Sequence, residues 1–199
     1  MSNLTELVKK RRSQYMIGND TDLTNEEIVE RITEIVRDVP SASNSQTTRV
    51  AFVFGDKNVE LWDHILDVQK DVLQGDMWER MSGVMEGAEN GVGTIIFFED
   101  LKAVREMPTS PSRVEVYKQN NDANVQYATW LALTEMGLGG TLQHMNVGYE
   151  QGFDKSVKEL LELPEHWEMQ AQMPFGSIEG EPGEKEYIAD NERVVVVGE

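Results

Sequence analysis

The stretch that decides the fold of this chain is Thr94-Ile95-Ile96-Phe97-Phe98. Neighbouring residues of a β-strand point to opposite faces of a sheet, so a strand with one wet face alternates apolar and polar side chains. This run does not alternate, and Gly91-Val92-Gly93 opens it. We therefore expect a central strand that is buried on both faces.

Three further segments are predicted to be strands. Arg49 to Phe54 follows a polar stretch of small residues and forms the first of them. Between Trp167 and Met173 apolar and polar residues alternate, which predicts a half-buried strand. The chain closes on Arg193-Val194-Val195-Val196-Val197, which is predicted to be the third.

Several segments have the spacing of helices. Thr24 to Glu27 has the sequence of a capping box, in which a hydroxyl and a carboxylate bind free helix amides. Ile28, Ile32, Ile35 and Val36 follow as a buried stripe, and Pro40 ends the segment. Further helices are predicted from Leu4 to the basic cluster at 11–12 and over 61–72, 76–90 and 154–161.

The segment from Ala123 to Met136 is apolar nearly all round. A helix of this kind needs a core around it or a partner subunit against it. Residues 105–121 before it are mostly polar and contain two prolines, and we expect them to form a surface excursion. The order of elements predicts one α+β domain over residues 1–199, with a small sheet among many helices.

The chain is strongly acidic, with 18 Lys and Arg residues against 36 Asp and Glu residues. Nucleic acids and anionic lipids would repel it, so we expect neither nucleic acid nor membrane as a partner. The absence of cysteine excludes disulfides, thiolate metal sites and cysteine nucleophiles. No stretch is long and apolar enough to cross a bilayer, and the first residues contain no apolar signal core. We expect a cytoplasmic protein that binds a cofactor or a metabolite.

The familiar signatures of nucleotide, metal and hydrolase sites are missing. The sequence has no glycine-rich dinucleotide fingerprint after a strand, no phosphate loop and no serine-hydrolase elbow. Its three histidines, His64, His144 and His166, lack the spacing of metal ligands. We therefore expect a bound cofactor to carry the chemistry, and we assign no catalytic residue and no metal.

Four polar segments could hold a flat ligand that bears a phosphate. Arg11-Arg12-Ser13 can bind a compact anion through its guanidinium and hydroxyl donors. Ser41 to Gln46 offers amides and hydroxyls, and Gly137-Leu138-Gly139-Gly140 lets a ring approach the backbone. Lys185 adds a late cation.

Each segment also has an ordinary structural interpretation. The arginines could offset the dipole at the C-terminus of a helix. Ser41 to Gln46 could be a plain loop, and Gly137 could cap the preceding helix. Lys185 lies between Glu184 and Glu186 and could simply be solvated. Taken singly, none of the four segments decides between the two interpretations.

Taken in order, the segments resemble the nitroreductase superfamily of flavin enzymes. The resemblance is closest to the small branch of fatty-acid-repression-mutant proteins and copper-induced bacterial nitroreductases. Five motifs span nearly the whole chain in the order of the family. They are Arg11-Arg12-Ser13-x-Tyr15, Pro40 to Val50, Gly93 to Asp100, Gly137 to His144, and Ala171 to Gly176 with Lys185.

The resemblance implies an FMN-dependent, nitroreductase-like α+β fold: a small, mostly antiparallel central sheet surrounded by helices, in an intertwined homodimer with two FMN sites at its interface. Phosphate and ring-edge contacts would come from Arg11, Arg12, Ser13 and Lys185. The partner chain would supply Asn44 and Gln46, and the backbone of Leu138, Gly139 and Gly140 would line the isoalloxazine. The motifs also imply Tyr15, Pro40 and Ser41 as FMN-binding residues.

The implied activity is the NAD(P)H-dependent reduction of nitroaromatics, quinones or similar electron-poor acceptors. Hydride from the nicotinamide would reach FMN first, and the acceptor would then take the place of the nicotinamide in a ping-pong cycle. Tyr15 stands where relatives of broader activity often carry Lys or Arg. Two alternatives are a flavin-binding regulatory or redox-sensing protein of low turnover, and a structural dimer with a vestigial site.

Overall fold

A five-stranded antiparallel sheet forms the centre of the molecule. The computed structural model describes residues 4–145 and 153–198. The strands are β1 (Ile17–Gly18), β2 (Thr48–Phe54), β3 (Gly93–Asp100), β4 (Gly139–Gly140) and β5 (Trp167–Ile178). They lie in the order β1-β5-β3-β2, and β4 pairs with β5. Every residue of β3 is buried, which confirms the central strand predicted from its apolar run.

Helices pack on both faces of this sheet. The α-helices among the described residues are α1 (Leu4–Lys10), α2 (Asn25–Asp38), α3 (Asp56–Lys70), α4 (Gly75–Glu89), α5 (Leu101–Arg105), α6 (Pro111–Glu135), α7 (Phe153–Leu160) and α8 (Asp190–Arg193). The predicted capping box begins α2, where the Thr24 hydroxyl accepts from the Glu27 amide and the Glu27 carboxylate accepts from the Thr24 amide. No helix among the described residues could span a bilayer.

Alternation along β3 divides the core into two parts. Ile96 and Phe98 pack with residues of α3 and α4, among them Trp62 and Met85. Ile95 and Phe97 point the other way and pack with residues of α2 and α6. Because side chains i and i+2 of a strand share a face, the next residue on the α6 side is Glu99.

The expectation of a surface excursion over 105–121 was wrong for most of the segment. α6 begins at Pro111, which a first helical turn accepts because its first amides have no acceptor within the helix. Lys118, Asn121 and Asp122 are buried in this helix. The apolar pattern does not predict this part of α6, because its buried face carries polar side chains that have partners inside the protein.

β5 was expected to be half-buried, and it is buried on both sides over much of its length. Gln172 is fully buried, exchanges backbone hydrogen bonds with Gln143 and accepts from the Met145 amide through its side chain. A polar residue in the alternating pattern therefore packs inward when a neighbouring segment supplies its hydrogen bonds.

The strand predicted over 193–197 is not formed. Val194 to Val197 lie outside every strand, with side chains that are 64% to 90% exposed. A strand is stable only beside another strand, and within the described part of the chain none lies next to this tail.

Candidate functional site

The basic segment near the N-terminus runs beside the glycine turn that follows α6. Ser13 forms a β-bridge with Gly140. The amide of Gln14 donates to the carbonyl oxygen of Gly140 at 3.0 Å, and the indole N–H of Trp130 donates to the same oxygen at 3.1 Å. Two of the segments predicted to bind one ligand, separated by more than half of the chain, are therefore adjacent.

The geometry of the turn explains its glycines. Gly137 has a positive φ of 81°, its amide donates to Thr134, and the Leu138 amide donates to Leu133. These bonds form a helix cap of the Schellman type, so the capping interpretation of Gly137 is confirmed. At Gly139 a Cβ atom would lie 2.8 Å from the Ile178 side chain and 2.9 Å from Gln14, which requires glycine.

Trp130 holds Arg11 as well as the glycine turn. The guanidinium carbon of Arg11 lies 4.2 Å from the centroid of the indole ring, a cation–π contact. One side chain of α6 therefore positions the first arginine through its ring face and Gly140 through its N–H.

Arg12 points to a third segment. Its guanidinium donates to the carbonyl oxygen of Gly183, in the loop that follows β5. Lys185 lies two residues further on, with its ammonium 5.1 Å from the centroid of the Tyr187 ring. The hydrogen bond from Arg12 to Gly183 therefore brings the loop that carries Lys185 to the basic segment.

The cations in this group are not neutralised by any carboxylate within the described residues. Arg11, Arg12 and Lys185 form no ion pair with any carboxylate there, although the chain carries a net charge of −18. The hydroxyl of Ser13 has no hydrogen-bond partner in the same set of residues. Unpaired cations beside a free hydroxyl suit a compact external anion.

Tyr15 continues the same segment, and its side chain is 55% exposed. The backbone is fixed at the next residue, where the Met16 carbonyl accepts from the Glu179 amide at 3.0 Å. Tyr15 therefore presents its ring to solvent from a well-held main chain.

The loop over residues 40–47 is held by α6 at a different place. The buried Asn121 side chain accepts from the Ala42 amide at 2.8 Å and donates to the hydroxyls of Ser45 and Thr47, each at 3.0 Å. Asn124 donates to the Pro40 carbonyl at 3.3 Å. A cavity of about 200 Å³ lies beside this loop, with Pro40, Ser41, Gln46 and Asn121 in its wall.

This loop has an unusual backbone. Ser43, Asn44 and Gln46 all have a positive φ, of 54°, 53° and 47°. Such conformations cost about 1–2 kcal/mol for each non-glycine residue and persist only where the surroundings impose them. The hydroxyl of Ser41 helps by accepting from the Gln46 amide at 3.0 Å. The result is a fixed loop that leaves Asn44 and Gln46 exposed.

The predicted site residues therefore form two groups in one copy of the chain. Positions 121 and 130 are about 13 Å apart along α6 and face opposite sides of it, because a helix rises about 1.5 Å and turns about 100° per residue. The group near Trp130 contains Arg11, Arg12, Ser13, Leu138, Gly139 and Gly140. Lys185 joins this group through its loop, because Gly183, two residues before it, accepts from Arg12. The group near Asn121 contains Pro40, Ser41, Asn44 and Gln46.

Three residues that organise the site were missed in the sequence. The apolar pattern assigns Trp130 only to a helix, although an indole N–H near a glycine turn indicates a hydrogen bond to be satisfied. Asn121 fell in the segment expected to be a surface excursion. Gln14 lies inside the basic motif, and its burial was not signalled by any apolar neighbour.

Comparison with known proteins identifies the family. Residues 8–177 match the model of the nitroreductase family. The chain belongs to the nitroreductase family. It is therefore an oxidoreductase of the nitroreductase type, and the α+β fold with a mostly antiparallel sheet agrees with that of the family's solved structures.

Three relatives illustrate the likeness. HBN1 of Saccharomyces cerevisiae is 30% identical over 187 residues, which are 91% of each chain. Nitroreductase CinD from Lactococcus lactis, solved in complex with 4-nitrophenol, is 32% identical with a TM-score of 0.84, covering 98% of this chain and 100% of that one. A protein of Exiguobacterium sibiricum in complex with FMN shares the fold, at 14% identity and a TM-score of 0.74 over 99% and 98% of the two chains. HBN1, together with the yeast nitroreductase FRM2, which is 27% identical over 77% of this chain and 76% of its own, confirms the predicted branch of the family.

Proposed function

We propose that this nitroreductase-family protein is an FMN-dependent oxidoreductase that takes electrons from NAD(P)H and reduces nitroaromatics, quinones or similar electron-poor acceptors. One observation carries the proposal: the segment Arg11-Arg12-Ser13, whose two cations pair with no carboxylate among the described residues, lies against the glycine turn at Gly140. Two relatives support it, since CinD is solved with a nitroaromatic compound and the Exiguobacterium sibiricum protein with FMN.

The residues present suit the phosphate end of FMN. Arg11, Arg12 and Lys185 supply positive charge for a phosphate. Ser13 supplies a hydroxyl that has no hydrogen-bond partner among the described residues. Leu138, Gly139 and Gly140 are buried in one copy of the chain, and the Gln14 and Ile178 side chains pack against Gly139, so their contact with the flat ring rests on the resemblance to the family. FMN, when bound, accepts a hydride from a reduced nicotinamide and delivers it to the acceptor.

The protein contributes binding, orientation and electrostatics to this reaction. Trp130 fixes the direction of the Arg11 guanidinium, so that less side-chain entropy is lost when an anion binds. The exposed ring of Tyr15 lies on the segment next to the phosphate donors and is suited to contact the isoalloxazine or the acceptor. We assign no side chain as a catalytic acid or base.

A complete site requires a second copy of the chain. Asn44 and Gln46 lie on the far side of α6 from Ser13 and Gly140, so their predicted contact with the same flavin needs a partner subunit. The exposed side of α6 supports such a partner, because Val116 and Tyr127 are 45% and 44% exposed on it. Tyr127 belongs to the apolar segment from Ala123 to Met136 that predicted a core or a partner, and Val116 precedes that segment in the same helix.

The C-terminal tail offers a second contact for the homodimer. β2 is an edge strand, and a strand edge carries unpaired backbone donors and acceptors. The tail Val194 to Val197 is β-branched at every position and is exposed in one copy. We infer that this tail pairs with β2 of the partner, where it becomes the strand that its sequence predicts.

The test is a flavin assay on the purified protein. We expect bound FMN, or stoichiometric reconstitution with FMN, followed by rapid bleaching of the flavin with NADH or NADPH and reoxidation by 4-nitrophenol or a quinone. A protein that cannot be loaded with FMN would refute the proposal. A protein that binds FMN but is reduced more slowly than any plausible turnover would favour the regulatory or redox-sensing alternative.

A further inference from the structure

Two carboxylates are buried between α6 and the sheet, beneath the loop over residues 40–47. Glu99 on β3 is fully buried, and Asp122 on α6 is 6% exposed. Glu99 shares the face of β3 on which Phe97 packs against α6. The two acids therefore lie at the same junction between α6 and β3, where the negative charge of Glu99 acts on Asp122.

The hydrogen bonds of this pair are incomplete. One oxygen of Glu99 accepts from the Thr48 hydroxyl at 2.6 Å, and one oxygen of Asp122 accepts from the Gln126 amide. The second oxygen of each carboxylate, together with the hydroxyl of Thr129, has no partner among the described residues. A buried, ionised carboxylate with an unpartnered oxygen is costly, and protonation of either acid removes one of the two charges.

The cations near the pair are already engaged or face solvent. On α6, Lys118 binds Glu168 of β5 at 2.7 Å and Glu115 at 3.1 Å. On β2, Arg49 binds Asp100 at 2.9 Å. Arg31 on α2 is half-buried and binds Glu34 and Glu135. The other cations on the packed elements are exposed: Lys102 and Arg105 on α5, Arg37 on α2 and Arg113 on α6. The charge of two ionised acids would therefore exceed what these cations balance.

Titration follows from this environment. Burial, and then repulsion by Glu99, raises the pKa of Asp122 to about 7. Burial also raises the pKa of Glu99, against hydrogen bonds from Thr47 and Thr48 and the attraction of Lys118 and Arg49. Both acids thus favour the protonated form relative to the unfolded chain.

We propose that Glu99 and Asp122 form a buried proton-binding site, which holds one proton on either of its two acids and keeps the loop over residues 40–47 in place while the proton is bound. Asn121, the neighbour of Asp122, bonds to Thr47 across the same junction. The Thr47 hydroxyl in turn interacts with Glu99. Loss of the proton places two negative charges at this junction and pushes α6 and β3 apart, which loosens the anchor of the loop.

The consequence for flavin binding rests on the proposed function, because it requires Asn44 and Gln46 to contact FMN. A loop that is held only in the protonated state binds FMN better at lower pH. Linkage is reciprocal, so FMN binding then raises the proton affinity of the pair.

The first experiment needs no flavin. The free energy of urea unfolding is measured between about pH 5 and about pH 8 for the wild type, Asp122→Asn and Glu99→Gln. Asp67→Asn serves as a control, since Asp67 is an exposed carboxylate within α3. The infrared C=O stretch of a protonated carboxyl group is recorded over the same range.

We expect wild-type stability to fall as pH rises through the range, because the folded pair binds a proton that the unfolded acids have released. Asp122→Asn and Glu99→Gln should flatten this fall and remove the infrared band, while Asp67→Asn should leave both unchanged. Parallel profiles for the wild type and Asp122→Asn would overturn the proposal. A wild-type unfolding midpoint that depends on Na⁺ or Mg²⁺ at constant ionic strength would overturn it as well, in favour of a cation.

The second experiment measures the FMN dissociation constant at the two ends of the same pH range. We expect the FMN dissociation constant of the wild type to rise from low to high pH by a factor that is about fivefold or more larger than the rise for Asp122→Asn. Equal losses in both proteins would refute the coupling to the loop. If FMN fails to bind any of the proteins, the proposed function fails, and the unfolding profiles still decide whether the pair holds a proton.

Discussion

Asn121 and Trp130 lie on opposite sides of one helix, and each holds a different part of the candidate site. Asn121 binds the loop over residues 40–47 through three hydrogen bonds. Trp130 binds Gly140 and Arg11. Because α6 spans both contacts, its position sets the geometry of two flavin sites in the proposed dimer, one on each side.

Replacing Asn121 with Ala should destabilise the protein and weaken FMN binding. The change leaves the Ala42 amide and the Thr47 hydroxyl without their partner, at a cost of about 1–3 kcal/mol in the free energy of unfolding. Urea unfolding measures the stability and fluorescence titration measures FMN affinity. Asn124→Ala is the matched control, since its exposed side chain makes one longer bond and should cost about 0.5 kcal/mol or less.

The double variant Arg11→Ala with Lys185→Ala should lose FMN. Each charge-assisted contact to a phosphate contributes roughly 1.5–3 kcal/mol, so the dissociation constant should rise at least about a hundredfold. The control is Lys102→Ala with Arg105→Ala, which removes the same charge from exposed positions of α5. If the two double variants bind FMN equally, the cations act only through the overall field, and the phosphate site is refuted.

The sequence predicted the core elements because their signals are local. The apolar run of β3, the capping box at Thr24 and the glycine cap at Gly137 depend on residues close in the chain. The burial of Asn121 and Gln172 depends on partners far away in the chain, and single-sequence patterns carry no sign of them. The tail at Val194 to Val197 has the composition of a strand but lacks a neighbour within one copy.

In the candidate site, too, the sequence predicted what depends on local residues and not what depends on contacts between distant ones. Its chemistry-bearing residues were visible as basic, polar and glycine-rich segments. Their grouping around Trp130 and Asn121 was not, because it depends on which faces of α6 they contact. The resemblance to the nitroreductase family supplied the order of the motifs, and the structure added the residues that hold them.

Asp100, at the junction between β3 and α5, should make the stability of the protein depend on pH in the acidic range. Burial would raise the pKa of Asp100, but hydrogen bonds from the Ala103 and Lys102 amides and the charges of Arg49 and His166 lower it below its ordinary value. This contribution is complete above the pKa of the unfolded acid and is lost as pH falls through that of the folded one.

Asp100→Asn isolates the charge, since Asn caps a helix about as well as Asp. We expect it to cost about 1 kcal/mol near neutral pH and nothing measurable once Asp100 is protonated in the wild type. Urea unfolding over the acidic range measures the difference. A cost that stays constant with pH would show that the charge of Asp100 is not the cause.

The C-terminal tail should determine dimer stability. Val195→Pro removes a backbone N–H and resists strand pairing, so it should shift the protein from dimer to monomer in sedimentation equilibrium. Val195→Thr keeps a β-branched side chain and the N–H, and it should leave the dimer intact. If Val195→Pro remains as dimeric as Val195→Thr, the tail does not pair with the edge strand of a partner.

The composite flavin site is tested most directly by mixing two defective chains. One carries Arg11→Ala with Lys185→Ala, the other carries Asn44→Ala with Gln46→Ala, and neither should hold FMN alone. Co-expressed in equal amounts, they form heterodimers in which one of the two sites receives intact residues from both chains. We predict that FMN is recovered in about one quarter of all sites of the mixture, as measured by flavin absorbance per chain. Absence of recovery would contradict a site built from two copies.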